Sequence, residues 1–275
     1  GFKDMIVGKA AELRPYFLYG YNHIDNVLLV DEEATPLTFL NNPIHNDVKN
    51  FGMDLKYRLS PSNTFDLSLN PDFGQIEMDP KYVNLSYYEI YLPEKRPFFS
   101  ELESFYNTPI EIFYSRRIGE DLIAESDSLL DIGSRSNINS AVKIDGTSNN
   151  FINYSILASN TLNKSSELSY SNKYYIGRIT KDIILADIYT TIGITGTRFD
   201  NQINDASIYS FDNLIYLFSN QLIIDYQFVR SKNNDTVGYA KYLSGNYSSP
   251  SLLSVDFNCT LIDSNFNVDK TGYIR

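Results

Sequence analysis

The sequence predicts an all-β protein: an antiparallel up-and-down meander of strands about ten residues long, broken by a Pro-rich, charged insertion around residues 70–120. Strict two-residue alternation opens the pattern. Over residues 51–60, Phe51, Met53, Leu55, Tyr57 and Leu59 share one face, and Asp54, Lys56 and Arg58 share the other. After residue 140, chain-reversal signals recur at nearly uniform spacing. The composition also suits strands and polar turns better than helices, with 22 Tyr, 17 Phe and no Trp beside much Asn, Ser and Ile.

In chain order, strand signals fall at 12–22, 52–60, 64–70, 83–92, 110–116, 141–146, 151–161, 174–183, 187–198, 207–218, 221–229, 236–247 and 252–261. Ser60-Pro-Ser-Asn63 reads as a tight turn, with Pro at its second position. The strand after it sets Phe65, Leu67 and Leu69 against Asp66, Ser68 and Asn70. Five prolines between residues 71 and 109 argue against uniform central strands there, so residues 70–140 are expected to be irregular connections. Later turns are expected at Asn149-Asn150, Asp200-Asn201, Ser219-Asn220, Asn233-Asn-Asp235 and Ser248-Ser-Pro250. Leu222, Ile224, Tyr226 and Phe228 share a face, as do Leu253, Val255, Phe257 and Cys259. Tyr170, Tyr189, Tyr209, Tyr247 and Tyr273 fall near strand ends, where an aromatic girdle would place them. Residues 271–275 read as the opening of a further strand, which makes the chain the front part of a single larger β domain over 1–275.

A sheet with one apolar and one polar face separates two unlike media, either core and water or lipid and a wet lumen. A meander of such strands meets the requirements of a transmembrane outer-membrane β-barrel, which removes its edges by closure. On that reading Phe51, Met53, Leu55, Tyr57 and Leu59 face lipid. No apolar run reaches the roughly 18 residues of a spanning helix. Residues 1–20 carry no signal-peptide pattern. A formal charge of -11 argues against nucleic acid as a partner. With one Cys, Cys259, and two His, His23 and His45, the chain offers no intramolecular disulfide and few ligands for zinc or copper.

The most specific text is Asn70-Pro-Asp-Phe-Gly-Gln-Ile-Glu-Met-Asp-Pro80, followed by Val83-Asn-Leu85, Leu92-Pro-Glu-Lys-Arg-Pro-Phe-Phe99 and Tyr114-Ser-Arg-Arg-Ile-Gly119. Flanking it are Glu12-Leu-Arg-Pro-Tyr16, Ala141-Val-Lys-Ile-Asp-Gly146 and Arg178-Ile-Thr-Lys-Asp182. Together these resemble an uncharacterised family of outer-membrane β-barrel domains of Bacteroidetes type, in which the barrel usually follows a sandwich like the family-nine carbohydrate-binding modules. Met78 departs from the small residue expected in that motif. The resemblance implies a location in the bacterial outer membrane, lipid as a partner, and a structural or transport role linked to carbohydrate or an envelope protein. It supplies no reaction.

Asp72, Glu77 and Asp79, with Glu94 downstream, are expected to form a charge network with Lys95, Arg96, Arg116 and Arg117 inside the barrel, either structural or in contact with a ligand. Two carboxylates of the 72–79 cluster working as acid and base would instead make a polysaccharide hydrolase, and carboxylate oxygens also suit calcium. Spacing fixes no geometry, so no catalytic or metal residue is assigned and no cofactor is expected. Ser115 lacks a nearby base in the sequence, which argues against a serine nucleophile. Pro97-Phe-Phe99 is expected to be a packed turn, with a sugar-stacking platform as its functional alternative. A soluble carbohydrate-binding β module using exposed Tyr and Phe is the remaining class.

Overall fold

Two-residue alternation is realised as one large sheet. The computed structural model describes residues 10–24, 27–29, 38–40, 44–71, 89–119, 137–148, 150–164, 169–249 and 253–273. Its strands are β1 (Ala11–Ile24), β2 (Val27–Leu29), β3 (Thr38–Leu40), β4 (Ile44–Ser60), β5 (Asn63–Leu69), β6 (Asn137–Ser148), β7 (Ile152–Lys164), β8 (Ser169–Leu185), β9 (Ile188–Asp200), β10 (Asp205–Leu217), β11 (Leu222–Asn233), β12 (Thr236–Ser248) and β13 (Ser254–Ile262). Eleven of them form a sheet in the order β1-β4-β5-β6-β7-β8-β9-β10-β11-β12-β13, while β2 and β3 pair apart. Every ladder is antiparallel, and from β4 onward each strand pairs with its successor. The fold is therefore the all-β antiparallel meander. In the described residues it is an open sheet, with β1 and β13 at its two ends.

Of the later turns predicted from the sequence, the chain reverses at Asp200-Asn201, Ser219-Asn220 and Asn233-Asn-Asp235; Asn149 and Pro250 of the other two lie outside the described residues. Asn220 and Asn234 adopt left-handed φ of 69° and 49°, a conformation that the short polar Asn side chain tolerates. Strand register aligns the two faces across the whole sheet. Lys56, Asp66, Lys143, Leu157, Ile176, Thr197, Ile208, Ser231 and Gly238 follow one another on the inner face. From Asp66 onward that row is buried. On the outer face, Tyr154, Ile179, Ile194, Phe211 and Phe228 stand side by side. Ile179 is 54% exposed and Ile194 61%.

Burial of the inner face comes from two segments that are not strands. Residues 89–119 carry the one-turn helices α1 (Pro97–Ser100) and α2 (Glu103–Tyr106) and a 3-10 turn at Ser115–Arg117. Phe99, Leu102, Tyr106, Phe113 and Ile118 of this segment pack with Ile138, Leu157, Tyr174, Ile176 and Phe199 of the sheet. Farther along, Ile110 and Ile112 pack with Ile208, Val229 and Ala240, and with Phe266 and Val268 from the chain after β13. Gly238 allows that approach, because a Cβ there would collide with the Phe266 backbone.

Strand expectations fail over 110–116 and, in their described parts, over 89–92 and 271–273. Residues 110–116 are extended chain running into the 3-10 turn. Their backbone finds partners in residues 271–273 instead of a ladder, through Tyr114 N to Thr271 O (2.7 Å) and Tyr273 N to Glu111 O (2.9 Å). Of the segment 83–92, residues 83–88 lie outside the described residues and 89–92 are not strand. Residues 271–273 do not open a strand either; they are buried. Tyr273 accordingly belongs to no strand-end girdle. Its ring packs 5.3 Å from Tyr91 and 5.4 Å from Tyr114, and its hydroxyl donates to Glu89 O.

Candidate functional site

The chemistry of the chain concentrates where residues 89–119 meet the inner face. Arg96 is central to the segment's own fold. Its guanidinium grips Glu94 through Nε to Oε1 (2.8 Å) and Nη2 to Oε2 (2.6 Å), and it also donates to Ile118 O and Ser115 O. It lies over the Phe99 ring at 4.4 Å. One side chain thus ties the approach to α1 to the 3-10 turn. Ser115 Oγ donates to Glu94 Oε2 at 2.6 Å. Burial opposes the Glu94 charge, but Arg96 and Ser115 outweigh it and hold the carboxyl below its usual range. A carboxylate so held is a poor base, and the Ser115 hydroxyl is already committed to it.

The adjacent arginines part company. Arg117 pairs with Glu89 at 2.5 Å and donates to Gly272 O at 3.1 Å, whereas Arg116 Nε donates to Pro93 O at 3.0 Å. Lys95 is half-buried. Asp72, Glu77 and Asp79 lie outside the described residues. Among Phe51, Met53, Leu55, Tyr57 and Leu59, the first and last are exposed and the other three half-buried, all on the face away from residues 89–119. Phe99 is buried at the start of the docked segment and Phe98 packs beside it.

Several anchors come from strands that the sequence reading did not single out. Lys143, 1% exposed at its side chain, reaches Glu101 Oε2 (2.6 Å), Phe98 O (2.9 Å) and Asp66 Oδ2 (3.2 Å). Lys56 adds a second ammonium to Glu101 at 2.8 Å. Burial alone would raise the Glu101 carboxyl, yet these two lysines hold it below its usual range. Arg178 forms a two-pronged pair with Asp212, 2.7 Å for each prong. Gln227 receives Ile110 N at its Oε1 (2.6 Å) and donates Nε2 to Ile110 O (3.1 Å), so one amide side chain replaces a backbone partner. Tyr106 donates to Ser155 O and Tyr174 to Arg117 O. Burial pushes the Tyr106 phenol up to about 12. A signal for Lys143 was present in the sequence: it is the one cation of β6, flanked by Val142 and Ile144 of the opposite face, whereas Arg178 shares β8 with Lys173 and Lys181.

A cavity of about 360 Å³ opens in the docked segment, lined by Tyr91, Tyr106, Phe113 and Tyr114, by Glu103 and Glu111, and by Ser and Asn side chains. Among the described residues no cluster of His, Cys, Asp and Glu could hold a metal ion, and no helix is long and apolar enough to cross a membrane.

A family profile described as Domain of unknown function (DUF5916) matches residues 35–184. No curated protein matches the chain. Among solved structures, outer-membrane expressed OmpT of Vibrio cholerae aligns over 98% of this chain and 94% of its own, at 11% identity and a TM-score of 0.31. Its loop L8 deletion mutant aligns over 94% and 95%, at 10% identity and a TM-score of 0.32.

Proposed function

Because the chain belongs to the DUF5916 family, whose function is unknown, its role has to be read from its own geometry, and we propose that it is an outer-membrane β-barrel component whose lumen is filled by residues 89–119 acting as a plug. One observation carries this reading: the face of the sheet turned away from residues 89–119 exposes large apolar side chains, while the opposite face buries polar and charged groups among its apolar ones. Ile156, Ile179, Ile194, Tyr209, Phe228, Leu243 and Phe257 are exposed on one face, while Lys143, Ser155, Thr161, Asn172, Arg178, Thr195, Asp212 and Gln227 are buried on the other. Water would penalise so continuous an apolar surface, whereas lipid solvates it. The buried polar groups stand beside apolar clusters through which residues 89–119 dock on the same face.

The finer role we propose is passage or handling of polar envelope material, carbohydrate included. The polar and charged groups of the inner face support this, as does the resemblance to barrels that follow a carbohydrate-binding sandwich. Isolating outer membranes from cells expressing the complete gene product, and comparing gel mobility with and without boiling in detergent, tests the barrel. A heat-shifted band in that fraction is expected. A soluble periplasmic protein whose mobility does not change would discard the reading.

A further inference from the structure

Of the residues that line the plug cavity, Tyr106, Phe113 and Tyr114 are buried and Tyr91 is half-buried, while Glu103, Ser104 and Asn107 are exposed. The cavity therefore has an aromatic interior and a polar mouth. Its rings are fixed against one another, Tyr106 meeting Phe113 edge to face at 5.0 Å and Tyr91 lying 5.2 Å from Tyr114. Hydrogen bonds fix them further: the Tyr114 hydroxyl donates to Leu92 O (2.8 Å), and the Tyr106 hydroxyl to Ser155 O (3.1 Å).

Most polar groups of the lining are already spent. Ser100 Oγ donates to Pro97 O (3.3 Å), Ser115 Oγ to Glu94 Oε2 (2.6 Å) and the Tyr91 hydroxyl to Glu103 Oε1 (3.1 Å), and Glu111 has a partner of its own. Among the described residues, the Ser104 hydroxyl and the Asn107 amide are the polar side chains of the lining left without a partner. Both are neutral.

We infer that this cavity binds a neutral sugar ring. Such a ring presents C–H groups on its faces, which pack on aromatic side chains, and hydroxyls at its edge, which both donate and accept. The Asn107 amide offers two donors and an acceptor, and the Ser104 hydroxyl can play either part. Both carboxylates of the lining have partners already, so they enter as fixed acceptors and not as charges in need of a cation. A volume of about 360 Å³ admits one ring with its edge toward solvent. The site rests on the proposed handling of polar envelope material, and it gives that role a place and a ligand.

Titration calorimetry of the full chain in detergent with glucose, galactose, mannose, rhamnose and N-acetylglucosamine, and with spermidine as the cationic comparison, tests the site. Saturable binding of at least one sugar is expected, weakened about tenfold or more in S104A/N107A and again in Tyr91→Leu. Ser104 and Asn107 are exposed and hold no other part of the fold, so the double variant keeps the test interpretable if Tyr91→Leu misfolds. Equal sugar binding by wild type and S104A/N107A would put the sugar elsewhere and overturn the proposal. Binding of none of the sugars, or of spermidine in their place, would overturn it as well. Heat-shift analysis of the same sample separates the two readings: a shifted sample that binds no sugar fails this inference alone, and an unshifted sample that binds sugar through Ser104 and Asn107 keeps the site and fails the barrel.

Discussion

Arg178 and Asp212 meet across an intervening strand, and a glycine makes their meeting possible. Arg178 is on β8, Asp212 on β10, and Gly193 on β9 lies directly opposite Asp212, where a Cβ would occupy the space of its carboxylate. Asp212→Ala leaves a buried guanidinium without its anion. We expect a loss of about 3–5 kcal/mol, measured as a lower urea midpoint in refolding; an unchanged midpoint would remove the pair from the list of anchors. The double change to Arg178→Met with Asp212→Leu should recover most of that loss, since it leaves no unpaired charge. Gln227→Leu is a different case. It strips the Ile110 N–H of its partner, while Ile110 O keeps the Thr108 hydroxyl; the expected cost is about 1–3 kcal/mol, and hydrogen exchange at the Ile110 amide should report it.

At the scale of elements, the outer face and the plug make separate predictions. Ile194 sits in mid-strand on β9 with Ile179 and Phe211 beside it, so Ile194→Arg should cost about 2–4 kcal/mol if β9 crosses lipid there. Assembly into vesicles should drop accordingly; undiminished insertion would reverse the assignment of faces. The plug responds to acid through Glu94 and Glu101. Both have folded values lowered from an ordinary 4.5. Their contribution to docking is therefore complete above about pH 4.5 and is lost as pH falls through the still lower folded values. Protease cleavage within 89–119 should rise in that acid range and stay flat between pH 6 and 8. The strands were legible because alternation is a local signal, visible in Phe51 to Leu59 without knowledge of any partner. The plug was not. Ile110, Ile112 and Tyr114 alternate like strand residues, and what denies them a ladder is Gln227 and Thr271, far away in sequence. The family motifs located the charged segment but could not tell which acid meets which cation, since Lys143 and Lys56 come to Glu101 from two different strands.

For the whole molecule, the proposed barrel role predicts that residues 89–119 determine conductance. Replacing residues 93–117 by a Gly/Ser linker of equal length should raise single-channel conductance in planar bilayers above that of the intact chain, while equal conductance would mean that the segment does not obstruct a pore. How the plug is attached also sets an order of events. Sheet ladders from β4 onward join neighbours in sequence, and most need only short loops to close. The plug contacts span 117 residues from Ile110 to Gln227, 155 from Arg117 to Gly272 and 184 from Glu89 to Tyr273. Closing loops of that length carries an entropic penalty before any contact repays it. Residues 89–119 are synthesised early yet cannot settle until β11 exists and the chain beyond β13 has folded back. A chain stalled before that point would carry a paired meander and an undocked segment, which marks the plug as the last part to acquire protection in a pulse-labelled refolding experiment.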